Sequence, residues 1–399
     1  MKVAPRQSCR GVSGFTVVEM VISVGIMMAV MGAVFGLLNP AQGTFQAQPE
    51  VSDMQQRVRV AIDAIHNDLL MAGAGPYSGS AVRPLGNYLA AVLPFRRGAR
   101  SPDPPGSFES DRVSLLYVPS GSPQIRTSQP LADLAADIRV NPQSGCPASD
   151  PLCGFRSGML AIIFDDTGVY DTFRITALMN SPPAVQHADR ALSKPYGAGA
   201  LIAQVVTATY WLKRGPAANA DQLMRYDGYQ TDLPVADHVV ALSFEYYGDP
   251  EPPALLKPAT DPEGPWTSYG PKPPALGVDD PTDIWAAGEN CIFGVGKSQH
   301  VTRPEMAVLG GDTALVKLDS NRLTDGPWCP DSAAAARVDA DLLRVRRIRV
   351  TLRVEAALAA LRGTGRLFMR PGSSSGGDRY VPDQEIKFDV TPRNLNFGR

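Results

Sequence analysis

The chain has 399 residues, 44% of them hydrophobic, so it is long enough to bury a sizeable core and to form one to three domains. Its formal net charge of −2 at pH 7 argues against a dedicated nucleic-acid-binding protein, because such proteins neutralise phosphates with an excess of Lys and Arg. The sequence contains no repeat at a fixed period.

The N-terminus combines a short basic leader with a long apolar run. The leader, residues 1–14, has three basic residues and no acidic one, and the run from Phe15 to Leu38 contains 24 residues. A helix rises about 1.5 Å per residue, so this run can cross a hydrocarbon core of ~30 Å. It is longer than the roughly 7 to 15 residues of a secretory signal, and no A-x-A-like cleavage site follows. The positive-inside bias places the leader in the cytoplasm and everything after Pro40 outside it.

One carboxylate, Glu19, lies near the start of the apolar run. A charge at membrane depth costs roughly 2.5 to 3.5 kcal/mol or more, so an ordinary anchor gains nothing from it. The basic leader, Gly14, the aromatic Phe15 and Glu19 four residues later resemble the N-terminus of the type IV pilin-like (prepilin) class. A plain signal anchor with Glu19 near the headgroups is the alternative.

The resemblance implies a processing step and an assembly contact. In that class a prepilin peptidase cuts after the glycine, here between Gly14 and Phe15, and methylates the new terminal amine. The class glutamate, here Glu19, pairs with the N-terminal ammonium of a neighbouring subunit. Such a pair would offset the desolvation of the carboxylate only in the assembled filament.

A second helical segment is predicted after the span, within residues 39–75. Asn39, Pro40 and Gly43 weaken the helix and Pro49 interrupts it, after which the helical period resumes and ends at Gly73. The apolar residues of one face are Val51, Met54, Val58, Ile62, Ile65 and Leu69. The polar residues assigned to the other faces are Gln55, Arg57, Arg59, Asp63, Asn67 and Asp68. The resemblance implies the outer half of the long pilin helix, packed on the globular domain; any amphipathic surface helix is the alternative.

Residues 76–399 are predicted to form an extracytoplasmic, β-rich globular domain. From Asp111 onward, short β-branched and aromatic runs alternate with turn residues. The candidate strands are Arg112 to Val118, Met159 to Phe164, Tyr170 to Ala177, Ile202 to Leu212, Gln222 to Tyr226, His238 to Tyr247, Arg347 to Val354 and Glu385 to Val390. The loop Lys213 to Ala220 indicates a hairpin. The expected fold is therefore α+β and pilin-like, a long N-terminal helix packed on a predominantly antiparallel domain.

The segment Leu233 to Tyr247 resembles the strand region of PilW-type minor pilins and of J-type pseudopilins of type II secretion. The stretch 249–281, crowded with proline, is predicted to be a long exposed insertion, because proline cannot donate to a strand ladder. Its Trp266 and Tyr269 are expected to pack it down, and a sticky contact surface is the alternative.

Cleavage after Gly14 removes Cys9 and leaves four cysteines in an oxidising compartment, which suggests disulfides. The favoured pairing joins Cys146 to Cys153 and Cys291 to Cys329. A zinc site is the alternative, but the chain has no C-x-x-C knuckle.

The sequence shows no catalytic or cofactor motif: no H-E-x-x-H, G-x-S-x-G, P-loop or dinucleotide fingerprint. We therefore predict a non-enzymatic protein without a cofactor. The acidic pairs Asp165-Asp166 and Asp279-Asp280 could contribute to calcium coordination, but turn chemistry is the favoured interpretation.

A run of arginines alternates with apolar residues near the C-terminus. These arginines are Arg344, Arg346, Arg347, Arg349 and Arg353. On a strand, those from Arg347 onward share one face and could hold DNA phosphates. A solvated face, or one paired with acidic neighbours, is the favoured interpretation.

Taken together, the resemblance implies a minor pilin or pseudopilin that is incorporated into, and primes, a type IV pilus-like filament. Its partners would be other minor and major pilins or pseudopilins, the prepilin peptidase and an inner-membrane assembly platform. The chain would cross the inner membrane once, with its globular domain periplasmic or extracellular, at or near the filament tip or elsewhere in the pilus. The alternatives are a J-type pseudopilin of type II secretion, an adhesin or DNA-uptake receptor displayed on the filament and, last, an anchored enzyme.

Overall fold

The structure is a computed structural model that describes residues 14–75, 90–94, 110–165, 170–188, 192, 194–215, 221–227, 232–250, 255–256, 291–293, 305–306, 314–319, 323, 337–373 and 380–396. For residues 37–46, 255–256, 291–293, 305–306 and 337–340 it describes the backbone only. The chain divides into two compact units. The first contains Met1–Asp53 with Ala356–Pro382, and the second contains Met54–Glu355 with Asp383–Arg399. The fold is α+β: one long N-terminal helix and a mostly antiparallel β domain.

Helix α1 is a single element, Val17–Met71, of 55 residues. It continues through Pro40 and Pro49, where the sequence predicted an interruption. A proline inside a helix removes one backbone hydrogen bond and costs about 3 kcal/mol. Because helix formation is cooperative, the turns on both sides can propagate across such a local loss.

The second half of α1 is amphipathic, as predicted. Met54, Val58, Ala61, Ile65 and Leu69 are buried, at the three- and four-residue spacing of one helix face. The helix ends two residues before Gly73, whose φ of +77° belongs to the left-handed region that favours glycine. A side chain at this position would also meet Leu395, because an added Cβ would lie 2.8 Å from its Cδ2 atom.

The β domain lies in the second unit. In chain order its strands are β1 (Val92–Pro94), β2 (Val113–Tyr117), β3 (Gln124–Arg126), β4 (Ile138–Arg139), β5 (Leu160–Phe164), β6 (Tyr170–Asn180), β7 (Pro183–His187), β8 (Leu201–Gln204), β9 (Val206–Lys213), β10 (Gln222–Tyr226), β11 (Asp232–Asp237), β12 (Val239–Gly248), β13 (Leu255–Leu256), β14 (Cys291–Phe293), β15 (Glu305–Met306), β16 (Val316–Leu318), β17 (Arg337–Asp339), β18 (Val345–Val354) and β19 (Gln384–Val390). Five strands form a sheet in the order β1-β2-β9-β10-β11, and four form a second sheet in the order β16-β12-β18-β19. Two further antiparallel pairs are short: β13 pairs with β15, and β14 pairs with β17.

A separate barrel is inserted between β2 and β9. These two strands are neighbours in the five-stranded sheet, with Tyr117 opposite Val206. The chain between them forms a six-stranded sheet in the order β3-β8-β5-β6-β7-β4. Its edge strands are joined by a bridge between Thr127 and Val140, where the Ser128 N–H donates to the Arg139 carbonyl oxygen at 2.9 Å. The sheet therefore closes, which removes two free edges.

Two cores support this arrangement. Inside the barrel, Ile138, Phe173 and Ile202 are among the residues of one buried cluster. A second cluster packs barrel residues such as Ile162 against Leu116 of β2, so the barrel rests on the five-stranded sheet. Strand β5 is buried on both faces, with Ile163 in the first cluster and Ile162 in the second, which explains its continuous run of apolar residues.

The structure has strands at most of the predicted positions, and one candidate strand is divided into two. The candidate strand Ile202 to Leu212 is two strands in the structure: β8 belongs to the barrel and β9 to the five-stranded sheet. The break falls at Val205, whose N–H donates to the Leu160 carbonyl oxygen at 3.0 Å. The predicted hairpin after Lys213 agrees with the antiparallel pairing of β9 and β10. The candidate strand at His238 begins one residue later, because His238 has a φ of +59°.

Cys146 and Cys153 form a disulfide in the barrel, between β4 and β5. This is the local half of the pairing that the sequence favoured. For the other half, Cys291 lies in β14, but its side chain and residue Cys329 lie outside the described residues.

We expect non-reducing peptide mapping of the purified chain to recover Cys146 linked to Cys153. Closing a loop with a sequence separation of 7 is worth roughly 2–3 kcal/mol in the chain-entropy model. Reduction should therefore destabilise the barrel, measured as increased proteolysis of residues 124–204. Recovery of both cysteines as free thiols from a non-reduced sample would contradict the structure.

Candidate functional site

The residues before α1 are accessible. Phe15 is 87% exposed, and an added Cβ at Gly14 would have no atom within 4 Å among the described residues. The predicted processing bond between Gly14 and Phe15 therefore lies in an open, non-helical segment that ends where the helix begins at Val17. Residues 1–13 of the leader lie outside the described residues.

Glu19 and Thr16 cap the start of α1. The Glu19 Oε2 atom accepts hydrogen bonds from the Thr16 backbone N–H and from the Thr16 hydroxyl, both at 2.9 Å. In return, the Glu19 N–H donates to Thr16 Oγ1 at 3.3 Å. This reciprocal arrangement is a capping box, which satisfies backbone donors that have no partner within the helix.

The capping box uses one carboxylate oxygen only. Among the described residues, no hydrogen bond or ion pair reaches the Glu19 Oε1 atom. The Glu19 backbone carbonyl accepts from the Ser23 hydroxyl at 2.7 Å. The side chain is thus held at the helix start, and its Oε1 atom can still accept a hydrogen bond from another molecule.

The first half of α1 is apolar and uncovered. The segment Val17–Gly36 has a mean hydropathy of 2.2, none of it is buried, and it is long and apolar enough to cross a membrane. A single N-terminal helix of this kind can be a membrane anchor or a signal sequence. Its exposed Val, Ile and Met side chains require lipid or other apolar helices as their environment.

A buried polar cluster fixes the second half of α1 to the five-stranded sheet. Asp68 Oδ1 accepts from the Tyr117 hydroxyl at 2.7 Å, and Asp68 Oδ2 accepts from the Tyr210 hydroxyl at 2.6 Å and from Arg225 Nε at 2.8 Å. Burial, assisted by the Asp68 charge and hydrogen bonds, raises the pKa values of both tyrosines well above their usual range. The Tyr210 hydroxyl also lies 2.9 Å from the Ala64 carbonyl oxygen.

Two arginines of the predicted stripe are buried rather than exposed. Arg344 Nη1 donates to Asp341 Oδ1 at 2.6 Å. Arg346 forms an ion pair with Asp249, whose Oδ2 atom lies 2.9 Å from Arg346 Nε. Asp249 is the first residue of the predicted proline-rich insertion, so the expectation of an exposed segment is wrong at that residue. Apart from Asp249, Pro250 and the strand β13, the stretch 249–281, including Trp266 and Tyr269, lies outside the described residues.

The other three arginines of the stripe, Arg347, Arg349 and Arg353, lie on β18 of the four-stranded sheet, and two of them pair with carboxylates. Arg349 makes two hydrogen bonds to Asp389, at 2.7 and 3.0 Å, and Arg353 bonds Asp383 at 2.9 Å. The hydrogen bonds from Arg349 lower the pKa of Asp389. The guanidinium of Arg347 lies 4.6 Å from the ring centroid of Tyr247. This face agrees with the interpretation of arginines paired with acidic neighbours, and it differs from the uncompensated basic stripe that phosphate binding needs.

The acidic pairs make no metal centre among the described residues. Asp165 forms an ion pair with Lys194 at 2.5 Å, while Asp166, Asp279 and Asp280 lie outside the described part of the chain. Within that part, no group of three or more His, Cys, Asp or Glu residues could hold a metal ion.

Sequence reasoning missed two residues of this site. Thr16 lies three residues before Glu19, and that T-x-x-E spacing ahead of an apolar run is the sequence signature of a capping box. Asp68 was assigned to a polar face, which the structure corrects: it is buried. Its position three residues after Ile65 and seven after Ala61 places it on the buried face, since three- and four-residue steps stay on one side of a helix.

Comparison of the chain with protein-family models, with curated proteins and with solved structures finds no match.

Proposed function

We propose that this chain is a minor pilin or pseudopilin, a non-enzymatic subunit that is cut between Gly14 and Phe15 and then built into a type IV pilus-like filament. The observation that carries the proposal is the geometry of Glu19. It lies in the first turn of α1, within the apolar segment Val17–Gly36, of which no part is buried, and its Oε1 atom has no partner among the described residues.

The proposed mechanism combines two forces. Exposed apolar helices associate side by side through packing, once they leave or share the membrane. Cleavage creates a terminal ammonium at Phe15, and Glu19 Oε1 of a neighbouring subunit accepts it while Oε2 keeps the capping box of its own helix. An uncompensated carboxylate is expensive in an apolar bundle, so only the register that pairs it is stable.

Within this class, the PilW-type minor pilin is our first proposal, because the globular region is longer than expected of a J-type pseudopilin. The type II secretion role remains the second. The proposed partners are other pilin-like subunits, the prepilin peptidase and the inner-membrane assembly platform. The domain carrying the disulfide would lie outside the cytoplasm, which fits an oxidising compartment.

Replacement of Glu19 by Gln tests the proposed role of its charge. Gln can form a capping box as Glu does, so Glu19→Gln should leave the helix start intact. We expect normal leader removal but a large loss of assembly, because truncating or neutralising one partner of a buried charge pair costs about 2–5 kcal/mol. The measurement is the amount of processed chain in sheared filaments relative to total processed chain.

The matched control is Thr16→Ala, which weakens the cap by about 0.5–2 kcal/mol and keeps the carboxylate. It should assemble better than Glu19→Gln. Assembly of Glu19→Gln at the wild-type level would restrict Glu19 to helix capping and remove the proposed intermolecular pair.

A further inference from the structure

The connection between β18 and β19 is a compact lobe, which we define as residues 356–382. It belongs to the same unit as the first half of α1. Within the lobe, the Gly372 N–H donates to the Gly363 carbonyl oxygen at 3.1 Å, and the Val381 N–H donates to Leu361 at 2.9 Å. An added Cβ at Gly363 would lie 2.5 Å from the Tyr380 ring. The described part of the lobe is therefore closely packed rather than a loose turn.

The lobe is joined to helix α1. The Ala357 N–H donates to the Glu50 Oε1 atom at 2.6 Å. Glu50 is itself buried, so this bond is shielded from water. The lobe therefore has a defined level along the helix.

The lobe gathers exposed apolar side chains. Outside Val17–Gly36, nine large apolar residues among the described residues are exposed, and four of them lie in the lobe. These are Leu358 (49%), Leu367 (61%), Met369 (56%) and Tyr380 (37%). The Tyr380 ring packs edge-on against the Phe368 ring, with the two centroids 5.6 Å apart. Exposed apolar residues concentrated in one short segment indicate an interaction surface.

The level of the lobe decides what can cover this surface. Glu50 lies 14 residues beyond Gly36, which corresponds to about 21 Å along the helix axis. The headgroup layer on each side of a bilayer is only about 5–8 Å thick. A lobe bonded at Glu50 is therefore beyond the lipid when Val17–Gly36 spans the membrane, and its cover has to be protein.

We propose that the lobe is a docking surface for the apolar N-terminal helix of a neighbouring pilin-like subunit. This inference rests on the proposed function. Both uncovered apolar surfaces, the helix and the lobe, belong to one compact unit, so subunits that pack their helices together bring the lobe of one subunit to the helix of another. Residues near Val34 reach the level of Glu50 only in a subunit displaced outward by about 24 Å along the helix axis. This subunit is therefore a different neighbour from the one whose Phe15 ammonium pairs with Glu19, which is displaced by only about 6 Å.

To test this contact, a photo-crosslinking residue replaces Leu367 in the full chain. The chain is expressed in cells that assemble the filament. The matched control carries the same residue in place of Leu233, a 53% exposed leucine of β11 in the other unit. We expect the Leu367 probe to yield adducts that map by mass spectrometry to the apolar helix of a second subunit, several-fold above the Leu233 probe. The variant L367S/M369S should lower assembly at least about tenfold while leader removal stays normal.

Three results would overturn the inference: adducts only with lipid, adducts no more frequent than at Leu233, or unchanged assembly of L367S/M369S. Adducts only with lipid would assign the lobe to the membrane surface instead.

Failure of this inference about the lobe is separable from failure of the proposed function. If Gly14 and Glu19 variants lose processing and assembly as expected while the Leu367 probe gives no specific adduct, the filament role stands and the lobe contact does not.

Discussion

A chain with Gly14→Ala is expected to keep its 14-residue leader and to accumulate in the membrane as a precursor. An added Cβ at Gly14 has no atom within 4 Å among the described residues, so the substitution introduces no clash with that part of the chain. Any loss of trimming must then arise where the peptidase holds the backbone closely, since only glycine leaves that space empty. Intact mass of the purified chain distinguishes precursor from product.

Gly25→Ala is the matched control for this experiment. Gly25 lies inside α1 and is equally free of neighbouring atoms, and alanine favours a helix interior by about 1 kcal/mol over glycine. This variant should be trimmed as in the wild type. Normal cleavage of Gly14→Ala at the same bond would contradict the prepilin assignment, and with it the proposed function.

Replacement of Asp68 by Ala should cause the largest loss of stability in the second unit. The change leaves Arg225 without its carboxylate and removes the acceptor of two buried tyrosine hydroxyls. Removing one partner of a buried ion pair typically costs about 3–5 kcal/mol. The loss is measured by chemical unfolding of the detergent-solubilised full chain, monitored by tryptophan fluorescence, because Trp211 lies in β9 beside Tyr210.

Asp63→Ala provides the comparison on the same helix. Asp63 is exposed and five residues from Asp68, so its removal should change the free energy of unfolding by no more than about 0.5 kcal/mol. Equal unfolding midpoints for the two variants would show that the Asp68 cluster does not anchor the helix.

Helix periodicity and strand alternation were sufficient to predict much of the fold. The buried face through Met54, Val58 and Ile65 follows from spacing alone, because α1 is long and strongly periodic there. The division at Val205 could not be predicted in this way. Strands β8 and β9 are separated by Val205 alone, and β-branched and aromatic residues continue across the break. Only the pairing partner, such as the Leu160 carbonyl oxygen that accepts from the Val205 N–H, decides which sheet a residue joins.

Short strands were also beyond the reach of sequence patterns. β4 consists of Ile138 and Arg139 only, yet it supplies an edge that the bridge between Thr127 and Val140 closes. Two residues carry no measurable alternation, and closure is a property of strands far apart in the chain. Long-range pairing of this kind leaves no local signal.

At the N-terminus, we predicted from the sequence a processing bond between Gly14 and Phe15 and an assembly contact at Glu19. That prediction considered only the charge of Glu19. The structure adds that Thr16 bonds the same carboxylate, so the residue has a role within its own helix. The buried pairing of Arg346 with Asp249 could not be anticipated, because the two residues are 97 positions apart and Asp249 begins a proline-rich stretch.

The inserted barrel has its entry and exit on adjacent strands, at Tyr117 and Val206. Adjacent strands lie about 4.8 Å apart, so a tight turn or a wholly different folded module can span the same two points without moving β2 or β9. In evolutionary terms the barrel is a module that could be exchanged without altering the strands on either side of it. A lineage could therefore replace the barrel in one recombination event while β2, β9 and the Asp68 cluster stay unchanged.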